Sequence, residues 1–281
     1  MFESGLSTLV TYNPWTVSED APLDELLRLL DDLGVHHLPV TDDDGKMAGI
    51  VSEIDILRAV EERHAAAMAT VGAEAIRTGD HPVFAREIMQ RRVIVVGNND
   101  SPRTALKKML AGDVHSCPVT EQGRPVGIVT STDFLREFSY GEASLSRQPV
   151  TTLMEDAGEA IDVEATLDEA NRQFWLTGAN YLAVEQGDFP LGVVSRRSVR
   201  SARCRDSARQ ILGDAVLPGP ATIAQLVSEA PSVSPGSRLA KAAELLVESR
   251  LQAVAVVNQA NRLLGVLSEN RLLHAMLEHM K

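Results

Sequence analysis

Residues 49–58 read GIVSEIDILR, and residues 127–136 read GIVTSTDFLR. In both, an apolar run ends on a hydroxyl side chain and passes at once into apolar residues at helical spacing. Two looser versions follow, Gly192-Val193-Val194-Ser195 and Gly265-Val266-Leu267-Ser268. A second landmark precedes each at a nearly fixed distance: His37-Leu38-Pro39-Val40, Ser116-Cys117-Pro118-Val119, Tyr181-Leu182-Ala183-Val184 and Ala253-Val254-Ala255-Val256. Landmarks that keep step through four copies define an internal repeat, which must be settled before any other feature.

Each copy spells the same order of elements. A short β-rich segment opens it, at 15–17, 93–96, 161–163 and 232–234. A helix follows, with Leu23, Leu26, Leu27 and Leu30 at the helical period in the first copy. Ser101-Pro102 in the second copy, and Thr166 with Glu169 in the third, are helix-start signals. Two strands then flank a turn, DDDG at 42–45 or EQG at 121–123, and the second runs into a closing helix such as 53–67 or 269–280. The unit is β-α-β-β-α, about fifty-five residues and marginal alone.

So small a unit leaves an apolar sheet face uncovered, so the expected fold is α/β (α+β) with the units packed as two pseudo-two-fold pairs. Repeats at about 10–68 and 86–140 give a first pair within 1–145. Those at about 150–212 and 223–280 give a second, more degenerate pair within 146–281. The polar stretch SYGEASLSRQP, 139–149, is the expected boundary, and the Ala-rich stretch 64–79 is expected to extend a helix.

Composition narrows the function. Apolar residues at 44% and charged residues at 23% are those of a soluble globular chain, and aromatics at 4% leave the core to Leu, Val, Ile and Ala. A net charge of −12 offers no field for a nucleic-acid backbone. There is no apolar run of membrane-spanning length and no secretory leader, so a cytoplasmic protein without a membrane role is expected. Cys117 and Cys204 lack metal-site spacing, and core packing is expected of Cys117. No nucleophile elbow, P-loop or zinc-protease motif occurs, so neither an enzyme nor a metal site is expected.

The segments HHLPVTDDDGKMAGIVSEIDILR and HSCPVTEQGRPVGIVTSTDFLR resemble the CBS domain. Four copies look like two tandem CBS pairs, or Bateman modules, and the resemblance fades in the third. It implies a regulatory module that binds AMP, ADP, ATP or S-adenosylmethionine between paired repeats and requires no cofactor. It also implies a likeness to proteins that assemble into flat discs, from which a homodimer and an as yet unknown regulated protein are expected partners.

Ser52 and Asp55, like Thr130 and Asp133, have the spacing of a helix cap, and capping alone would explain them. The same geometry also suits a nucleotide, because a helix N-terminus favours phosphate and an ionised carboxylate suits a ribose diol. The resemblance implies Asp55 and Asp133 on ribose, Ser52 and Thr130 near phosphate, and adenine against the strands around Pro39, Ile50, Pro118 and Ile128. It also implies phosphate contacts from His36, His37 or His115, although alternation puts His36 and His37 on opposite strand faces. The aspartate becomes Ser198 and Arg271 in the last two repeats, which points to a ligand in the first pair. Arg196, Arg200 and Arg203 share a helical face and, with Arg271, are candidate anion or partner contacts, the plainer alternative being a solvated face paired with acids. The rival to a sensor is a constitutive scaffold or dimerisation module with empty clefts.

Overall fold

A computed structural model describes residues 5–33, 35, 37–59, 62, 83–141, 143–156, 160–179, 181–187, 189–196, 198–203, 222–227, 232–249, 252–260 and 262–280. His36, Arg197, Cys204 and the stretch 64–79 lie outside them.

The first unit contains β2 (Val17–Ser18), α1 (Leu23–Leu33), β3 (His37–Thr41), β4 (Met47–Ser52) and α2, described over 53–59. β3 pairs in parallel with β2 and antiparallel with β4. The second unit repeats this with β5 (Val96–Gly97), α4 (Pro102–Ala111), β6 (Ser116–Glu121), β7 (Arg124–Thr130) and α5 (Ser131–Tyr140). The third has β8 (Ile161–Asp162), α6 (Leu167–Thr177), β9 (Tyr181–Gln186), β10 (Phe189–Ser195) and α7, described at 196 and over 198–203. The fourth has β11 (Ser232–Val233), α8 (Leu239–Ser249), β12 (Ala253–Val257), β13 (Leu263–Ser268) and α9 (Glu269–His279). Among the described residues the strands form four small sheets, one per unit, as the repeat requires. In the first two units the opening strand begins later than its sequence segment, at Val17 and Val96, where the chain first reaches a partner strand.

The hairpins agree in detail. Each has its register shift beside the landmark glycine, where Ala48, Val126, Leu191 and Leu264 are the extra residues. A bulge of this kind bends the strand and strengthens its twist. Ser101 accepts the Thr104 amide at 3.1 Å with Pro102 behind it, and Thr166 and Glu169 form a reciprocal box, as their residue types lead one to expect.

A feature absent from the sequence repeat joins the units. The segment leading into each unit crosses to another one. In the first leader, β1 (Thr11–Tyr12) pairs with β7 of the second unit, while Leu6 and Leu9 are buried in the same core as Phe134 and Val129. The second leader carries α3 (Ala85–Ile88) and lies on the first unit, with Ala85 and Met89 in its core and Gln90 bridged to Ile50. The third leader bridges Glu155 to Val266 of the fourth unit, and the fourth places Ile223 in the core of the third.

This crossing explains three of the landmark glycines. A Cβ on Gly49 would lie 2.6 Å from Met89 Sδ, and one on Gly127 2.2 Å from Val10 Cγ1. On Gly265 it would lie 2.5 Å from the backbone oxygen of Glu155. In each case the obstacle belongs to a foreign leader.

The largest core spans the second and fourth units. α5 lies along α8 and α4 along α9, so that Phe134, Leu135 and Phe138 pack with Ala243, Leu246 and Met276. Cys117 is buried in this core, where burial pushes its thiol up to about 12. Within the expected boundary 139–149, Ser139 and Tyr140 close α5, and Leu145 and Ser146 are each 2% exposed.

Candidate functional site

The chemistry-bearing residues lie where β4 enters α2 and where β7 enters α5. Ser52 donates its backbone amide to Asp55 Oδ2 at 2.9 Å and its hydroxyl to the same oxygen at 2.5 Å. The Asp55 amide returns to Ser52 Oγ at 3.3 Å, which closes a capping box. Thr130 likewise donates its amide and hydroxyl to Asp133 Oδ2, at 2.9 and 2.6 Å. Both aspartates therefore belong to the cap. The third unit shows why the carboxylate is dispensable for capping, since Ser198 Oγ accepts from the amide and hydroxyl of Ser195 at 3.2 and 2.9 Å.

Each aspartate spends one oxygen on the cap and turns the other outward. Asp55 Oδ1 accepts from Gln90 Nε2 at 2.9 Å, and Asp133 Oδ1 accepts from Arg136 Nη1 at 3.0 Å. Gln90 comes from the second leader, a source the repeat alone does not point to. In the fourth unit a foreign carboxylate stands near the cap: Ser268 Oγ accepts the Arg271 amide at 3.2 Å and donates to Glu155 Oε2 at 3.4 Å. The sequence holds a faint sign of these leader residues, because Met89-Gln90 and Met154-Glu155 echo one another ahead of their units.

The apolar candidates pair across the strands that lead into the two caps. Pro39 faces Ile50, which faces Gln90 on its other side, and Pro118 faces Ile128, which faces Thr11. Both prolines are buried, and Ile50 and Ile128 are half-buried. The matching positions of the second pair differ. Val193 and Val266 are each 5% exposed and close on one another with Ala253 and Tyr181.

Of the histidines, His37 shares the strand face of Pro39 and lies opposite Ser52 in register, whereas His36 is outside the described residues. His115 is turned toward the fourth unit, with Nδ1 3.1 Å from Glu269 Oε1. The arginines do not form one cationic face. Arg196 Nη2 donates to the Phe174 carbonyl at 2.6 Å and its guanidinium lies over that ring, while Arg203 donates to Asp168 at 2.9 Å. Arg200 and Arg271 are exposed. The plainer alternative, pairing with acids, describes Arg203. Among the described residues no three His, Cys, Asp or Glu side chains converge as a metal site, and no helix is long and apolar enough to cross a membrane.

Small α+β units, capped at the strand-to-helix turn and joined by exchanged leaders, define a repeat protein. The chain belongs to the CBS domain family, which matches residues 6–62, 85–140 and 223–278, more than half of its length. Protein MJ1404 of Methanocaldococcus jannaschii is 28% identical over 202 residues, covering 67% of this chain and 44% of that protein. Protein MJ1225 of the same organism is 25% identical over 124 residues, which is 44% of this chain and 39% of the relative. The matches thus take in less than half the length of these curated relatives. The structure of MJ1225 superposes on 97% of this chain and 100% of its own, with a TM-score of 0.70 and 17% identity. A conserved protein from Pyrococcus horikoshii does so over 97% and 100%, with a TM-score of 0.63 and 20% identity. Both likenesses concern the fold.

Proposed function

We propose that the chain is a regulatory sensor of four CBS repeats in two Bateman modules, 1–145 and 146–281. The first module binds an adenosyl ligand and passes its occupancy to a partner protein in the cytoplasm. Asp55 and Asp133 receive the ribose hydroxyls in this reading, Ser52 and Thr130 stand at the 5′ side with His37, and adenine lies against Pro39, Ile50, Pro118 and Ile128. The observation that carries it is the contrast between equivalent positions. Ile50 and Ile128 are half-buried in the first pair, while Val193 and Val266 fill the second pair's interior with their own apolar contact. The outward Oδ1 atoms support it further, since a ribose hydroxyl could replace the side-chain donors from Gln90 and Arg136.

A homodimer completes the proposal, supported by the exposure of Trp175 at 79%, Leu176 at 80% and Phe189 at 72% on the third unit. Signalling requires that the ligand bind one arrangement of the units better than another.

The test is a thermal-shift panel of adenosine, AMP, ADP, ATP and S-adenosylmethionine with light scattering on the same samples. A ligand at a hundred times its Kd adds about 2.7 kcal/mol of stability. An upward shift with at least one adenosyl compound is the expected result. A flat panel returns the function to a constitutive scaffold.

A further inference from the structure

The pair formed by His115 and Glu269 lies at the junction of the second and fourth units. The Ser131 amide, at the first position of α5, donates to the His115 carbonyl at 2.9 Å. The ring of the same histidine is 3.1 Å from the Glu269 carboxylate, whose side chain is 7% exposed. Glu269 is the first residue of α9 and is anchored through its amide to the Gln252 carbonyl at 2.7 Å. A buried carboxylate of the fourth unit is therefore held by the same histidine whose carbonyl receives the first amide of α5, the helix whose cap is Thr130 and Asp133.

The start of α5 is where the helix dipole would favour a 5′ phosphate. Here a carboxylate is already in place, and it engages the histidine ring that would otherwise be open to a phosphate. A phosphate brought to the same helix end meets a partly desolvated like charge, which screening by water does little to relieve. A neutral 5′ group incurs no such repulsion, and a cationic one is attracted.

We infer that Glu269 selects the ligand of the second unit's cleft, favouring adenosyl compounds whose 5′ substituent is uncharged or cationic over nucleoside phosphates. This rests on the adenosyl reading above and narrows its ligand class. Glu269 acts as a specificity-determining residue from a different unit, and Asp133 remains the ribose acceptor.

Adenosine and AMP differ only in the phosphate and isolate the effect. Calorimetric titration of the full chain with Asp55→Asn, which weakens the first unit's cleft, reports on the second. Adenosine is expected to bind about tenfold or more tightly than AMP, the size of one lost charge-assisted contact. Adding Glu269→Gln is expected to raise AMP affinity about tenfold and leave adenosine unchanged. Equal affinities in the Asp55→Asn protein, or an unchanged ratio after Glu269→Gln, would overturn the selection. If Glu269→Gln does not fold, the ratio in the Asp55→Asn protein decides alone. Absence of binding by the unaltered chain would instead bring down the adenosyl reading, and this inference with it.

Discussion

At Asp55 one oxygen holds the Ser52 cap and the other holds Gln90, so Asp55→Ala removes two things together. Loss of the cap is expected to cost about 1 kcal/mol in urea unfolding without ligand. Affinity for the adenosyl ligand is expected to fall about ten- to a hundredfold, read by calorimetry at a temperature where the variant stays folded. A stability loss with unchanged affinity would assign the residue to the fold alone. Comparing the four copies in sequence correctly isolates the carboxylate as peculiar to the first two. The spacing of Ser52 to Asp55 and of Thr130 to Asp133 already announces the cap, whereas the comparison of copies hides the aspartates' share in it, because Ser198 fills that acceptor role with a different chemical group. Gln90, Glu155 and Glu269 escape notice for a different reason: each acts on a unit other than its own.

Among the elements, hairpins and helices follow directly from the sequence, since apolar period and turn chemistry are local. The leaders do not, because a strand of two residues such as β1 has no pattern of its own. Its signature sits in the glycines it crosses. Gly265→Ala is expected to cost about 1–3 kcal/mol, because the obstacle is the Glu155 backbone oxygen and cannot rotate aside. A urea midpoint equal to that of the unaltered chain would show that the third leader lies elsewhere. The turn from β5 into α4 adds a pH-dependent contribution. The Gly97 amide and Lys108 hold the Asp100 carboxyl below its ordinary 3.8. A depressed folded-state value stabilises above the unfolded value and loses that contribution as pH falls through the folded one. Asp100→Asn should therefore lower the urea midpoint at pH 7, with the difference from the unaltered chain closing as the pH drops below about 3.8.

For the whole molecule, the decisive packing is α5 on α8 and α4 on α9, which merges two sequence-distant units into one core. No repeat-level pattern announces which units meet, because Phe134 and Leu246 read as core positions of their own helices. Separately produced fragments 1–145 and 146–281 would each bare half of this core. Each is expected to self-associate in analytical ultracentrifugation, and mixing them is expected to restore a one-to-one complex. Stable monomeric fragments would show that each module completes its own interior. The exchanged leaders carry one more consequence. The sequence counts in single repeats, but no single repeat owns all the chain that completes it. Copying or deleting one repeat during evolution would strand a leader without a host, so a lineage of such proteins should gain and lose these units two at a time.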